Sequence, residues 1–187
     1  METIIQLDKT VFAFLNQTIA NPLFDKFFPF ITNGEHWVLL YAVLIIWILW
    51  KGGRNGRICV LALALTITLS DGINSRLIKP AVNRDRPCNE TGMYVRSLVP
   101  CGNGKSFASS HSANNFAAAV ILSFFFIKMR WVFFSIAALV AFSRVYVGVH
   151  YPIDIISGAI IGSLIAYLVL FVLKKVKLVR KSEFLTS

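Results

Sequence analysis

The sequence predicts an all-α integral membrane protein with a bundle of about five transmembrane helices. Of the 187 residues, 56% are hydrophobic and only 15% are charged, whereas soluble domains are about 45–50% apolar and about 25% charged. The apolar residues form long stretches, and the basic residues behind the formal charge of +10 gather between those stretches. Clusters of Lys and Arg at one side of membrane helices follow the positive-inside rule. The composition therefore excludes a disordered chain and favours a membrane protein over a nucleic-acid-binding one.

Five apolar stretches are long enough, or nearly so, to cross a bilayer, which takes about 17–25 residues. We place the spans at residues 35–50, 57–79, 110–127, 131–150 and 153–173. The basic clusters between and after them are Lys51, Arg54 and Arg57; Lys128 and Arg130; and Lys174, Lys175, Lys177, Arg180 and Lys181. Five crossings put all three clusters on one side, which predicts a cytoplasmic C-terminus and an outward, periplasmic 80–105 loop in a bacterial inner membrane.

The chain is expected to form a single domain, with 35–173 as the transmembrane catalytic bundle. Residues 1–32 are apolar but interrupted by Asp8, Lys9, Asp25 and Lys26. We interpret them as one or two helices lying in the outer interface, and a sixth span is the alternative. Residues 174–187 are interpreted as a basic cytoplasmic tail that meets anionic lipids.

Two of the three cysteines fall in the outward loop. Cys88 and Cys101 would form a disulfide on an oxidising face and brace that loop, whereas in a reducing compartment they would be free thiols. Cys59 lies within the second span and is expected to pack as a small hydrophobe.

Polar side chains gather at the outer ends of the predicted spans. A charge at mid-bilayer costs about 2.5–3.5 kcal/mol on insertion scales, so such residues indicate function. The group comprises Asp71, Asn74, Arg76 and Lys79; Ser109, Ser110, His111, Ser112, Asn114 and Asn115; Arg144; and His150 and Asp154. Chance placement would have spread these residues over both membrane faces.

The cations in this group suit the binding of a phosphate. Lys79, Arg86 and Arg144, with Arg84 as a further candidate, would neutralise non-bridging oxygens, and the planar fork of Arg does so in a bidentate manner. The start of the third span adds backbone N–H groups, because a helix N-terminus is an anion site.

The two histidines and one carboxylate suit phosphoryl transfer without a metal ion. One imidazole can attack phosphorus and carry the phosphoryl group. The other can protonate the leaving oxygen and later deprotonate water. A carboxylate beside it can hold its tautomer, and Asp154 in the first turn of the last span can reach back to His150.

Three sequence motifs resemble the signature of the type 2 phosphatidic acid phosphatase superfamily, which also includes vanadium haloperoxidases. Lys79-x6-Arg86-Pro87 matches the first part, and Ser143-Arg144-x5-His150-x3-Asp154 matches the third. The second part, usually Pro-Ser-Gly-His, reads Ala108-Ser109-Ser110-His111. Each part alone is a weak match, but three in the family order are a strong one.

The resemblance implies a role for each matching residue. His111 would be the nucleophile, His150 the general acid and then base, and Asp154 its orienting partner. The residues implied to hold the phosphate are Lys79, Arg86, Ser109, Ser110 and Arg144. The family needs no metal ion or other cofactor. Ser110 in place of Gly matters if the backbone there needs a positive φ, which Ser adopts less readily.

The implied activity is hydrolysis of a phosphomonoester or pyrophosphate on a membrane lipid, through a phosphohistidine intermediate. Lipid A 1-phosphate ranks first, with undecaprenyl pyrophosphate and phosphatidylglycerophosphate as alternatives. A non-enzymatic transporter or scramblase is the alternative of another class, although no internal repeat or mid-bilayer helix break of that class is visible. The partners are then the lipid substrate and the bilayer, with no nucleic acid.

Several polar residues outside the motifs receive structural interpretations. Asp71 and Asn74 share a helix face and are expected to pair with Arg76 or Arg84. Arg96 and Lys105 are expected to be solvated or to meet a second phosphate. His36 is expected to anchor the first span at the interface. Gly158 and Gly162 permit close helix packing, within the chain or between chains.

Overall fold

The computed structural model describes residues 2–179, which form helices and connecting loops. The α-helices are α1 (Glu2–Ala13), α2 (Pro22–Thr32), α3 (Val38–Lys51), α4 (Gly53–Ile73), α5 (Lys79–Val82), α6 (Ser110–Phe125), α7 (Arg130–Tyr146) and α8 (Pro152–Lys175). Two π-helical turns, Phe14–Thr18 and Asn74–Ile78, continue α1 and join α4 to α5. Short 3₁₀ turns occupy Gly34–Trp37, Pro87–Asn89 and Ile127–Met129. The fold is thus the all-α membrane bundle that the composition predicts.

Four helical stretches are long and apolar enough to cross a membrane: Gly34–Lys51, Gly53–Val82, Ile127–Tyr146 and Pro152–Lys175. They match four of the five predicted spans. The remaining one, α6, has 16 residues, or about 24 Å at 1.5 Å per residue, which is less than the roughly 30 Å hydrocarbon core. Its short length is compatible with its position, because the other helices surround it.

Helix α6 forms the centre of the bundle. Its N-terminal end lies beside the C-terminal end of α4, since Asn74 donates to the Ala108 carbonyl at 2.9 Å, and its C-terminal end packs with Ile58 and Cys59 at the start of α4. Helices α4 and α6 are therefore antiparallel. The N-terminal ends of α6 and α8 lie together, and so do their C-terminal ends. These two helices are therefore parallel, as five crossings require.

Two glycines bring α8 into backbone contact with α6. A Cβ on Gly162 would lie 1.9 Å from the Ala113 carbonyl oxygen, and one on Gly158 would lie 2.5 Å from that of Ser109. Any side chain at these positions would push the helices apart. The Gly158–Gly162 pair therefore packs within the chain.

The end of the bundle away from the motifs is apolar inside and basic outside. Its core joins Ile48, Ile58, Phe125, Leu170 and Val179 from four helices and the chain's last described residue. The basic clusters at 51–57, 128–130 and 174–177 flank this core in the chain. Arg180, Lys181 and the rest of the predicted tail lie outside the described residues.

The N-terminal segment forms two short helices on the opposite end, where the motifs lie. Phe12 of α1 packs with Val145 and Tyr151, and Phe28 of α2 packs with Tyr146 and Val149. Neither helix is among the candidate spans. The segment covers the end of α7 and the turn that leads into α8, which is where the third motif lies.

Candidate active site

The third motif lies at the end of α7 and the start of α8. The Arg144 carbonyl oxygen accepts from the backbone N–H groups of Val149 and His150, which closes a tight turn. Pro152 then begins α8, a position where its missing N–H costs nothing, and the Asp154 carboxylate accepts from the Tyr151 N–H at 2.9 Å. The turn places Asp154 within 3.7 Å of the His150 Nδ1 atom.

Ser106 lies between the histidine and the carboxylate. Its hydroxyl donates to Asp154 Oδ2 and lies 3.3 Å from His150 Nδ1. Because the Ser106 hydroxyl donates its proton to Asp154, the Ser106 oxygen can only accept a hydrogen bond from His150. This favours the tautomer of His150 with hydrogen on Nδ1. The other ring nitrogen, Nε2, is then free to act as a base.

The second oxygen of Asp154 is bound by Arg84. The guanidinium donates to Asp154 Oδ1 at 2.8 Å and to Asp8 Oδ2 at 2.6 Å, and it stacks on the Tyr151 ring at 3.9 Å. Asp8 also accepts from the Ile153 N–H at 2.9 Å. This chain of contacts ties α1 to the third motif, and Arg84 is not a free phosphate ligand as its sequence position suggested.

The second motif begins α6. Ser109 is the N-cap, and its backbone N–H donates to the Asp154 carbonyl at 3.0 Å, so the second motif is bonded directly to the third. Asn74 holds the same segment from α4, donating to Ala108 and to Ser110 Oγ. His111 therefore stands in the first turn of α6, in a helix start fixed from two sides.

The first motif follows the π-helical turn of α4. This turn carries Asn74 and ends at Ile78, directly before Lys79, and the chain turns again at Asn83, whose φ is 51°. Arg86 donates through Nε to the Gly104 carbonyl at 2.7 Å. The Cys88–Cys101 disulfide, which the sequence allowed, closes this loop beside Arg86.

The three motifs converge on His111. Arg144, His150, Arg86 and Lys79 all lie close enough for their charges to act on its imidazole. The charge of Arg144 also acts on His150 and on Lys79. Both histidines therefore share one cationic site at one end of the bundle.

Arg144 is 9% exposed and only partly hydrogen-bonded. Its Nη1 donates to the Thr32 hydroxyl at 2.6 Å, while its Nε has no partner among the described residues. A buried donor without an acceptor costs about 1–3 kcal/mol. An anion beside His111 would remove this cost.

A cavity of about 670 Å³ opens from this point. His111 and Arg144 line it, together with residues of α2, the 3₁₀ turn after it and residues 99–100. The site therefore continues into a space bounded by the N-terminal segment.

His150 itself is closed off from solvent, at 2% exposure. Burial lowers the pKa of its imidazole to about 4, and the repulsion of Arg144 and Arg86 acts in the same direction, while Asp154 partly opposes the shift. The ring is therefore neutral at pH 7 in the free protein.

Several structural interpretations from the sequence were wrong. Asn74 binds the second motif instead of an arginine. Arg96 is neither solvated nor free, since it donates to Asp25 at 2.6 Å, and this bond lowers the pKa of the Asp25 carboxyl. For Lys105 the expectation of solvation is not contradicted, since its side chain is partly exposed and pairs with Asp85 at 2.7 Å.

Sequence reasoning missed Ser106, Thr32 and Asp8 as neighbours of the site. Ser106 and Thr32 are small polar residues with no fixed spacing to a motif. Asp8 carried a usable signal, because a carboxylate in an apolar helix requires a partner.

Comparisons with known proteins agree with this geometry. A family profile described as the PAP2 superfamily matches residues 59–177. A lipid A 4'-phosphatase of Bacteroides thetaiotaomicron is 34% identical over 94% of this chain and 80% of its own. One of Porphyromonas gingivalis is 30% identical over 90% of this chain and 74% of its own. The crystal structure of Aquifex aeolicus LpxE superposes with a TM-score of 0.70 at 27% identity, covering 88% of this chain and 95% of that one.

The matched profile contains all three motifs and spans more than half of the chain. Relatives that are at least 30% identical extend the likeness to nearly its whole length. The converging histidines and cations are what the motif resemblance implies. The chain therefore belongs to the PAP2 superfamily and is a membrane-spanning phosphatase.

Proposed function

We propose that the protein hydrolyses a phosphate monoester of lipid A at the outer face of a bacterial inner membrane. The observation that carries this proposal is the buried Arg144 guanidinium, with an unpaired Nε, which lines the same cavity as His111. That arrangement suits a phosphoryl group bound next to a nucleophile. The two relatives matched over most of the chain carry the name lipid A 4'-phosphatase, which supports lipid A as the substrate.

In the first step, His111 attacks phosphorus and the bond from phosphorus to the lipid oxygen breaks. Lys79, Arg86 and Arg144 hold the non-bridging oxygens, together with Ser109, Ser110 and the N–H groups at the start of α6. His150, once protonated beside the bound anion, gives its proton to the lipid oxygen, so the lipid leaves as an alcohol.

In the second step, water attacks the phosphohistidine. His150, now neutral, takes a proton from this water through Nε2, and the bond from phosphorus to His111 breaks to release inorganic phosphate. Asp154 stabilises the imidazolium through Ser106 and by its own charge, which is the orienting role of the carboxylate in hydrolytic triads.

The proposed orientation places the site in the periplasm and the C-terminus in the cytoplasm. The Cys88–Cys101 disulfide lies at the same end as the site, and disulfides persist in oxidising compartments. The basic clusters flank the opposite end, as expected for a cytoplasmic face. Cysteine labelling of exposed single-cysteine variants in intact cells tests this orientation.

The function is tested with purified protein in detergent, using lipid A, undecaprenyl pyrophosphate and phosphatidylglycerophosphate with a chelator present. We expect metal-independent phosphate release from lipid A, and an acid-labile, alkali-stable phosphoryl-protein. His111→Ala should lower the rate by at least about a thousandfold and abolish the phosphoryl-protein. Equal release by wild type and His111→Ala would reject the proposal.

The same assay assigns the position of the phosphate. The likeness of the compact chain to lipid A 1-phosphatases ranked the 1-phosphate first, whereas the names of the two relatives favour the 4'-phosphate. Mass spectrometry of the product from bis-phosphorylated lipid A distinguishes the two.

A further inference from the structure

The cavity beside His111 is much larger than the group that reacts there. It measures about 670 Å³, whereas a phosphate fills roughly the space of three waters at about 30 Å³ each. Its volume lies within the range of about 300–1,000 Å³ that is usual for small-molecule sites. Most of the cavity must therefore accommodate something other than the reacting phosphate.

The cavity is lined by both polar and apolar side chains. His111 and Arg144 lie on one part of its lining, and Lys26, Asn33, Glu35 and His36 contribute to the wall formed by α2 and the turn after it. Pro29, Phe30, Val99 and Pro100 supply apolar surface. A ring with polar substituents on its rim and apolar faces matches this distribution, whereas a plain hydrocarbon chain leaves the polar wall without partners.

The polar wall is preorganised by its own hydrogen bonds. The Asn33 side chain accepts from the Glu35 N–H at 3.1 Å, and His36 Nδ1 lies 3.1 Å from the Phe30 carbonyl. The His36 ring stacks on Phe30 with centroids 4.6 Å apart. A wall fixed in this way binds a ligand without first being ordered.

The polar wall also contacts the residues around the nucleophile. Thr32 lies on it and holds Nη1 of Arg144. A ligand against α2 is therefore coupled through one hydrogen bond to the cation beside His111.

The wall lies outside the region that the family profile matches, which begins at residue 59. Matches covering 94% and 90% of the chain must begin before residue 26, so they extend into this segment. The shared catalytic region therefore supplies the phosphate end of the cavity, and the N-terminal segment supplies the other end. This division is what a specificity site added to a common catalytic site requires.

We propose that this cavity is a sugar subsite, which binds the phosphorylated hexosamine ring of a saccharolipid headgroup. The inference rests on the proposed function and names the part of the substrate that the N-terminal segment recognises. Phe30 packs against the apolar face of the ring, and Lys26 and Asn33 bind its hydroxyl or amide substituents.

The test compares lipid A with dioleoyl phosphatidic acid, a phosphomonoester without a sugar, in the same detergent. Wild type should have the higher kcat/KM on lipid A. Lys26→Gln should raise the KM for lipid A at least about tenfold, the loss of one hydrogen bond to a charged group, with kcat within twofold and phosphatidic acid kinetics unchanged. Lys26→Glu should raise that KM further. Lys51→Gln, the same charge change at the other end of the bundle, should alter neither substrate.

Three other outcomes of this test would contradict the proposal. Wild-type activity on phosphatidic acid equal to or above that on lipid A would reject the sugar subsite while leaving a lipid phosphatase. Lys26 variants that change both substrates alike, or neither, would reject it as well. No phosphate release from any lipid would reject the proposed function itself, and the subsite with it.

Discussion

The two halves of the active site differ in how their charges are balanced. Around His150, the Asp154 carboxylate is fully buried and accepts from Arg84, Ser106 and the Tyr151 N–H. Around His111, the cations Lys79, Arg86 and Arg144 form no ion pair with any carboxylate among residues 2–179. The first half is complete in the free protein, and the second half is incomplete.

The contrast extends to the other cations at this end. Lys9, Arg84, Arg96 and Lys105 each have a carboxylate partner. The protein thus neutralises cations that hold its loops together and leaves the three motif cations without counter-charges. Arg144 is buried and Lys79 and Arg86 are partly buried. Because cations withdrawn from water without a counter-charge are unfavourable, their concentration at one point indicates a bound anion more clearly than any one residue does.

The largest expected effect is on kcat, from a substitution in the half of the site around His150. Asp154→Asn removes the charge that stabilises the His150 imidazolium, so kcat should fall about a thousandfold, by analogy with the roughly 10⁴-fold loss in a triad. KM should change little, because the phosphate ligands remain. Asp25→Asn, which breaks an outer ion pair with Arg96, should cost less than tenfold. Equal losses in the two variants would mean that both carboxylates act only on folding.

A smaller effect is expected from the incomplete half. Arg144→Lys keeps the charge but loses the planar fork and its bond to Thr32, so kcat/KM should fall about a hundredfold. Arg76→Lys, on the exposed face of the π-helical turn, is the matched control and should stay near wild type. A loss of less than fivefold for Arg144→Lys would show that charge alone is sufficient.

The packing distance between α6 and α8, which separates the two halves of the site, can be tested without changing a polar side chain. Gly162→Ala adds a Cβ 1.9 Å from the Ala113 carbonyl oxygen, so the free energy of unfolding should fall by about 1–3 kcal/mol, and activity with it. Gly72→Ala has open space around its Cβ and should not destabilise the protein. Thermal unfolding in detergent measures both. Unchanged stability for Gly162→Ala would mean that α6 and α8 can move apart freely.

A further expected effect, which is on stability and not on activity, is the pH dependence of unfolding. Because the pKa of His150 is about 4 when folded and about 6.5 when unfolded, the unfolded chain binds its proton first as the pH falls. This group therefore stabilises the fold fully above pH 6.5 and loses about 1.4 kcal/mol per pH unit between 6.5 and 4.

The comparison is made by unfolding wild type and His150→Gln at pH 7 and pH 5. The variant should lose less stability over this interval. Carboxylates with lowered pKa values lose their contribution below this range, so they do not obscure it. Identical losses would show that His150 is not held neutral by burial.

Much of the fold followed from local patterns. Apolar length placed the helices, and the motifs alone placed His111, His150 and Asp154 at one membrane level. The predicted third span, 110–127, nearly matches α6, whereas the predicted fourth span, 131–150, continues past the end of α7 at Tyr146. The N-terminal helices were located, but nothing in the sequence indicated that Thr32 would hold Arg144, 112 residues further along the chain.

The role of Arg84 shows why the partners of a site are harder to predict than its motifs. It lies two residues from Arg86 in the same motif, yet it binds two carboxylates while Arg86 binds a carbonyl. The difference depends on Asp8, which only the folded chain brings near. Residue type and spacing predict which cations are present, but the tertiary structure decides which of them are free.

The glycine contact between α6 and α8 has a consequence for how such a protein can diverge. The separation of the two imidazoles depends on a main-chain contact and not on the bulk of any side chain. The lipid-facing residues of the bundle can then be exchanged to suit membranes of different thickness or composition while the reaction geometry stays the same. Selection on membrane fit and selection on chemistry thus act on separate sets of positions.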